Sequence, residues 1–167
     1  MVNELPQTYR HHMSETVAVA TTPTALFALL DDHDRLATHM MKPSAMMGWS
    51  AMNVTFDAGR GREHGSRISM RGRILGLEIE VDEVVTKREP PRLKTWTTRG
   101  TPRLWVIGAY RMGFEIKPDR TRSLLTIFID YELPRWPFRP LGLIAGRFYA
   151  RWCVRMMAQD AVKAFAI

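Results

Sequence analysis

Three polar side chains occupy strand positions whose neighbours on the same face are apolar. Glu83 shares the alternating phase of Ile79 and Val81, and Tyr110 and Tyr131 are likewise in phase with apolar residues. If those phases are buried, the pKa of the Glu83 carboxyl rises by desolvation, which suits a general acid or base beside an enolisable ligand. The two tyrosines would then donate hydrogen bonds to a ligand carbonyl. The alternatives are that Glu83 reaches water or pairs with an arginine, and that both tyrosines are ordinary core residues.

No stronger chemical motif is present. The sequence lacks His-Glu-x-x-His, Cys-x-x-Cys and Gly-x-Ser-x-Gly motifs, and its five histidines are scattered. The Gly/Arg-rich stretch 59–65 joins two predicted strands, whereas a phosphate-binding loop precedes a helix. Cys153 lies in a predicted helix beside apolar residues, which is typical of a packed thiol, with a nucleophile as the alternative. We therefore expect neither a metal nor a cofactor.

The elements that position these residues follow from periodicity. The pattern predicts a strand over Met13–Ala20 and a helix that Thr22 caps and Pro23 begins, running to residue 30. A second short helix is predicted over His33–His39, and a long helix from Leu141 to Ala166. Between the two short helices and the long one, period-two alternation predicts six strands, over 52–57, 66–75, 77–85, 93–101, 105–118 and 122–133. Pro102 is expected to break the strand over 93–101.

The predicted fold class is α+β. Six consecutive hairpin-linked strands indicate an antiparallel sheet, of about seven strands in all, with one face that must be covered. The terminal helix is the only element long enough, so the order β-α-α-β6-α predicts a curved sheet around a long C-terminal helix. At 167 residues, 46% hydrophobic and 25% charged, the chain suits one domain over 13–167 after a flexible segment over 1–12. The lack of an apolar leader and the single cysteine favour the cytoplasm.

Three stretches resemble the START-like, or Bet v 1-like (SRPBCC), helix-grip superfamily, within its polyketide cyclase/dehydrase and lipid-transport group. They are Thr-Pro-Thr-Ala-Leu-Phe-Ala-Leu-Leu-Asp-Asp at 22–32, the two strands over 72–92 with their Pro-Pro pair, and Ile-Asp-Tyr-Glu-Leu-Pro at 129–134. The resemblance spans Met13–Phe165 and implies a deep cavity between sheet and terminal helix. It also implies a hydrophobic ligand there, which some members cyclise or dehydrate and others carry.

On this basis the expected function is binding or transport of a small hydrophobic ligand such as a lipid or a polyketide. An enzyme of the polyketide cyclase/aromatase type, using Glu83 with Tyr110 or Tyr131, is the alternative. Which phase of the strands over 93–101 and 122–133 lines the cavity stays open. The residues predicted to bind ligand are Met52, Phe56, Met70, Val81, Glu83, Trp96, Tyr110, Met112, Tyr131, Phe148, Trp152 and Met156.

Positive charge is concentrated at the C-terminal end. Residues 135–167 carry six basic side chains and one acidic one, which is most of the formal net charge of +7. Arg147, Arg151 and Arg155 form one stripe at i, i+4 and i+8. The stripe is either a solvated helix face or a face for anionic headgroups, with lipid exchange at a membrane surface as a further functional alternative. No nucleic acid is expected, because no recognised reading module accompanies the charge.

Overall fold

The computed structural model describes residues 8–32, 52–74 and 76–166. Strand β1, His11–Val19, begins two residues before the predicted start at Met13, because its pairing with the last strand extends to His11 opposite Tyr131. Helix α1, Pro23–Leu30, is capped by the Thr22 hydroxyl, which accepts a hydrogen bond from the Ala25 amide at 3.3 Å. The second short helix predicted over 33–39 lies outside the described residues.

The remaining strands form one antiparallel sheet with β1, in the order β1-β7-β6-β5-β4-β3-β2. Sequential neighbours pair as hairpins from β2 to β7, while β1 joins the far edge beside β7. The strand bounds are Met52–Phe56 (β2), Arg67–Ile74 (β3), Leu77–Glu89 (β4), Leu93–Arg103 (β5), Tyr110–Asp119 (β6) and Arg122–Tyr131 (β7).

The end of β5 and the start of β6 both differ from the prediction, because these two strands pair over only part of their length. Pro102 does not end β5, which continues to Arg103, and β6 begins at Tyr110 rather than at Trp105. The β5–β6 pairing covers only Leu93–Thr97 of β5. Beyond it, β5 has a neighbour on the β4 side alone, so a proline that lacks a backbone N–H is tolerated there.

The C-terminal helix, α2 (Arg139–Ala164), packs on one face of the sheet through small side chains. A Cβ added at Gly142 would lie 2.3 Å from Pro134 Cδ, and one at Gly146 would lie 2.6 Å from the Val106 carbonyl oxygen. Both glycines therefore permit an approach that any larger residue would block. The buried residues of α2 are Gly142, Gly146, Ala150, Val154, Met157, Ala158 and Ala161.

This packing corrects the predicted helix face. Phe148, expected in the cavity wall, is 73% exposed and lies on the side of α2 away from the sheet. Trp152 and Met156 are half-buried at the margin of the helix–sheet contact. A prediction from hydrophobicity favours the helix face with the large side chains. The observed contact uses the face with the small side chains, because these allow α2 to approach the backbone at Val106 closely.

Candidate functional site

The sheet surface that faces α2 carries most of the residues predicted to bind ligand. In the two strands whose phase the sequence leaves open, the buried residues include Trp96 and Thr98 of β5 and Ile129 and Tyr131 of β7. Phe56, on edge strand β2, is half-buried. The predicted residues that are buried on this surface are Met52, Met70, Val81, Glu83, Trp96, Tyr110, Met112 and Tyr131.

Glu83 and Tyr110 meet within this apolar surface. The Tyr110 hydroxyl donates a hydrogen bond to Glu83 Oε1, bridging from β6 to β4 across the intervening strand. The Trp96 side chain supplies a second hydrogen bond to the Glu83 carboxylate from that strand. The Thr98 hydroxyl accepts a hydrogen bond from the Tyr110 amide at 3.1 Å, which fixes the backbone of Tyr110. A carboxyl and a phenol, 4% and 8% exposed, thus form one buried polar pair.

Burial sets the protonation of this pair. Desolvation raises the pKa of Glu83 to about 7, although the hydrogen bonds from Tyr110 and Trp96 and the charge of Lys94 act in the opposite direction. Burial and the neighbouring carboxylate raise the pKa of Tyr110 well above its ordinary value. Near neutral pH, Glu83 is therefore divided between its acid and its carboxylate, while Tyr110 remains a hydrogen-bond donor.

Helix α2 adds two polar groups opposite this pair. Tyr149 and Cys153 share a side-chain hydrogen bond, and the charge of Glu83 helps to raise the pKa of Tyr149. Burial raises the pKa of Cys153 to about 12, so the thiol form dominates at neutral pH, as a packed thiol rather than a nucleophile requires. Neither residue is among those predicted to bind ligand. Their i, i+4 spacing on the small-residue side of α2 is the signal that points to them.

Tyr131 lies beside the pair in the sheet. It is the register partner of Tyr110 across β6 and β7, and its ring stacks on His11 with centroids 5.1 Å apart. Burial raises the pKa of Tyr131, while the charge of Arg147 acts against that rise. The structure thus joins Glu83 directly to Tyr110 and places Tyr131 as the neighbour of Tyr110 at the β1 side of the sheet.

A second buried polar cluster, which the strand pattern does not predict, links α1 to the sheet. Lys94 is fully buried, and its ammonium group donates to Asp31 Oδ1 at 2.8 Å and to the Asp31 carbonyl at 3.1 Å. Arg88 donates to the same carboxylate through Nε at 3.1 Å and Nη2 at 2.8 Å. Burial lowers the pKa of Lys94 to about 8, although Asp31 opposes that shift.

The described parts of the chain contain neither a cluster of metal-ligating side chains nor a membrane-spanning helix. No three histidine, cysteine, aspartate or glutamate side chains converge there as ligands for a metal ion. No described helix combines the length and the apolar character needed to cross a bilayer.

A seven-stranded antiparallel sheet with a long C-terminal helix across one face is the helix-grip, Bet v 1-like fold. Solved structures with this fold are similar over nearly their whole length, at identities that establish the fold alone. TTHA0849 from Thermus thermophilus is 12% identical with a TM-score of 0.65, covering 94% of this chain and 100% of its own. Ara h 8.0201 is 11% identical with a TM-score of 0.61 and coverages of 92% and 98%. Major latex-like protein 151 from Panax ginseng is 11% identical, with a TM-score of 0.61 and coverages of 96% and 100%.

The family follows from the sequence itself. Residues 10–166 match the family described as polyketide cyclase / dehydrase and lipid transport. The chain belongs to this family. No curated protein matches it at a significant level.

Proposed function

We propose that the protein binds and carries a small hydrophobic ligand between the sheet and α2, with Glu83 and Tyr110 as its polar anchor. Membership of the polyketide cyclase/dehydrase and lipid-transport family supports hydrophobic ligand binding in general. The observation that carries the finer proposal is the Glu83–Tyr110 pair, buried on an otherwise largely apolar surface that faces α2.

The cost of burying this pair supports a role in recognition. An acidic side chain removed from water destabilises a fold unless it is fully paired, so an apolar residue at position 83 would be favoured on stability alone. Binding sites for small molecules are mostly apolar, with a few converging polar groups that orient the ligand. Met70, Val81 and Met112 supply the apolar part, and methionine adapts to ligands of varied shape.

The anchor also defines the chemical class of ligand. Protonated Glu83 can donate a hydrogen bond to a ligand, while Tyr110, whose proton is donated to Glu83, offers its oxygen as an acceptor. A neutral ligand with one hydroxyl group on an aromatic or alicyclic skeleton can accept from Glu83 and donate to Tyr110. A carboxylate ligand would instead be repelled by the ionised form of Glu83.

A pair of probes that differ by one hydroxyl tests this assignment. We expect wild-type protein to bind 2-naphthol roughly fivefold more tightly than naphthalene, since one net hydrogen bond contributes about 1 kcal/mol. Tyr110→Phe is expected to weaken the preference while naphthalene binding persists. Isothermal titration measures both affinities, and Phe148→Ser, on the exposed side of α2, is the matched control. The proposal would be overturned if wild-type protein bound neither of the two probes.

A cyclase-type enzyme is the second candidate, favoured by the pKa of about 7 at Glu83, which suits a general base at neutral pH. With 2-tetralone as an enolisable probe in deuterated buffer, the base would remove an α-proton, and deuterium would then be returned to the same carbon. The expected rate of exchange rises with pH through about 7 and falls to the buffer rate in Glu83→Gln. Proton NMR follows the exchange. Equal rates with wild type and Glu83→Gln would reject this role while leaving ligand binding intact.

A further inference from the structure

The first turns of α2 and the segment before them expose an unusual set of large apolar side chains. Trp136 is 76% exposed, and Ile144 and Phe148 are each 73% exposed. A contiguous apolar surface left in water generally marks a contact with another molecule or with a membrane. We call this set the Trp136–Phe148 surface; it comprises Trp136, Phe138, Leu141, Leu143, Ile144 and Phe148.

Charge along the segment that carries this surface is basic, although Glu78 and Glu132 line a groove beside Trp136 and Phe138. Residues 133–159 contain five arginines and no acidic residue. Arg147 and Arg151 are exposed and follow the apolar line of Ile144 and Phe148 along one side of the helix. Arg155, further along, is partly engaged by Glu15 of β1 at 3.7 Å. The free cationic character is therefore concentrated beside the apolar part of α2.

This combination has the geometry of a helix that lies in a membrane interface. Such helices bury an apolar face at the boundary between headgroups and acyl chains, with arginine or lysine along the polar flank. Tryptophan is enriched at the same depth, and long arginine side chains extend back to the phosphates. We propose that the Trp136–Phe148 surface docks the protein on an anionic membrane, with Arg147 and Arg151 contacting the lipid headgroups.

A second copy of the chain fits this surface less well. A two-fold interface places each patch against its own copy, which would bring two sets of arginines together with no carboxylate between residues 133 and 159. An anionic leaflet instead neutralises them and attracts each basic residue near its surface. The groove of about 580 Å³ lies beside the surface and shares Trp136 and Phe138 with it.

Vesicle flotation tests the proposal directly. Wild-type protein is expected to float with vesicles of equal parts phosphatidylcholine and phosphatidylglycerol, and to bind pure phosphatidylcholine vesicles much more weakly. Ile144→Ser/Phe148→Ser is expected to lose at least tenfold in affinity for both vesicle types. Arg147→Ser/Arg151→Ser is expected to lose about thirtyfold on the anionic vesicles alone, since each arginine contributes roughly fivefold.

Matched variants separate docking from altered folding. Leu124→Ser changes an exposed apolar residue on β7, and Arg120→Ser/Arg122→Ser changes two exposed arginines at the β6–β7 turn. Both should bind like wild type, and circular dichroism should show the same thermal unfolding for all variants. Wild-type protein that fails to float with anionic vesicles, or equal losses in the control variants, would overturn the proposal. A dimer in light scattering that Ile144→Ser/Phe148→Ser dissociates would likewise overturn it in favour of a second copy. Unchanged 2-naphthol binding in the docking variants keeps this test separate from that of the interior ligand.

Discussion

Replacing Asp31 with alanine is expected to lower the free energy of unfolding by about 3–5 kcal/mol, the usual cost of removing one partner from a buried ion pair. The Asp31 carboxylate accepts hydrogen bonds from Lys94 at 2.8 Å and from Arg88 at 2.8 Å. Lys94 is fully buried, so the substitution would remove the carboxylate that compensates its ammonium charge, or force the ammonium group to lose its proton. Urea denaturation at neutral pH measures the loss.

Two further variants show whether burial is the cause. Asp32→Ala removes the neighbouring carboxylate, which pairs at 3.2 Å with a half-exposed Arg62, and should cost less than about 1 kcal/mol. Lys94→Met should cost less than Asp31→Ala, because Arg88 still pairs with the carboxylate and methionine is apolar. If Asp31→Ala cost no more than Asp32→Ala, the cluster would not be what holds α1 on the sheet.

The free energy of unfolding is expected to contain a Glu83 contribution that falls by roughly 3 kcal/mol as the pH rises from about 4.5 past 7. Unfolded, the carboxyl titrates near its ordinary pKa of 4.5; folded, it titrates near 7, because burial disfavours the charge. Between these values the folded state binds more protons, so stability decreases with rising pH. Above 7 both states are ionised and the loss is complete.

The measurement is the difference between wild type and Glu83→Gln in urea denaturation across this pH range. The glutamine variant cannot ionise there, so its stability relative to wild type should increase steadily through the window. Glu78→Gln, on the exposed end of the same strand, is the matched control for replacing one carboxylate by an amide. A constant difference between wild type and Glu83→Gln at all pH values would contradict the shifted ionisation.

The fold could be predicted from the sequence because its signals are local. Alternation along β3, β4 and β6 marks the buried phase of each strand, and Thr22 with Pro23 marks the start of α1. The same phase places Glu83 and Tyr110 on one surface, so their pairing needed only the correct strand neighbours. Pro102 misleads because its effect depends on where the pairing of β5 with β6 stops.

Other parts of the site depend on contacts between residues that are far apart in the sequence, which a periodic pattern does not predict. The face of α2 that packs on the sheet is decided by the room at Gly146 beside the Val106 carbonyl, not by hydrophobicity. The contact between Asp31 and Lys94 joins residues 63 positions apart. A lysine within a strand is ordinarily exposed, so its burial becomes evident only with the partner in view.

The place of β1 in the sheet has a consequence for synthesis of the chain on the ribosome. β1 is made first, yet its partner β7 ends at Tyr131, and the hairpins from β2 to β7 involve only one another. At about 5–20 residues per second, β1 therefore waits several seconds with its edge unpaired. A nascent chain that ends before Arg122 exposes unpaired backbone N–H and C=O groups at both edges of the partly formed sheet, where other chains can pair with them. The first strand of this protein is thus the one whose protection during synthesis comes last.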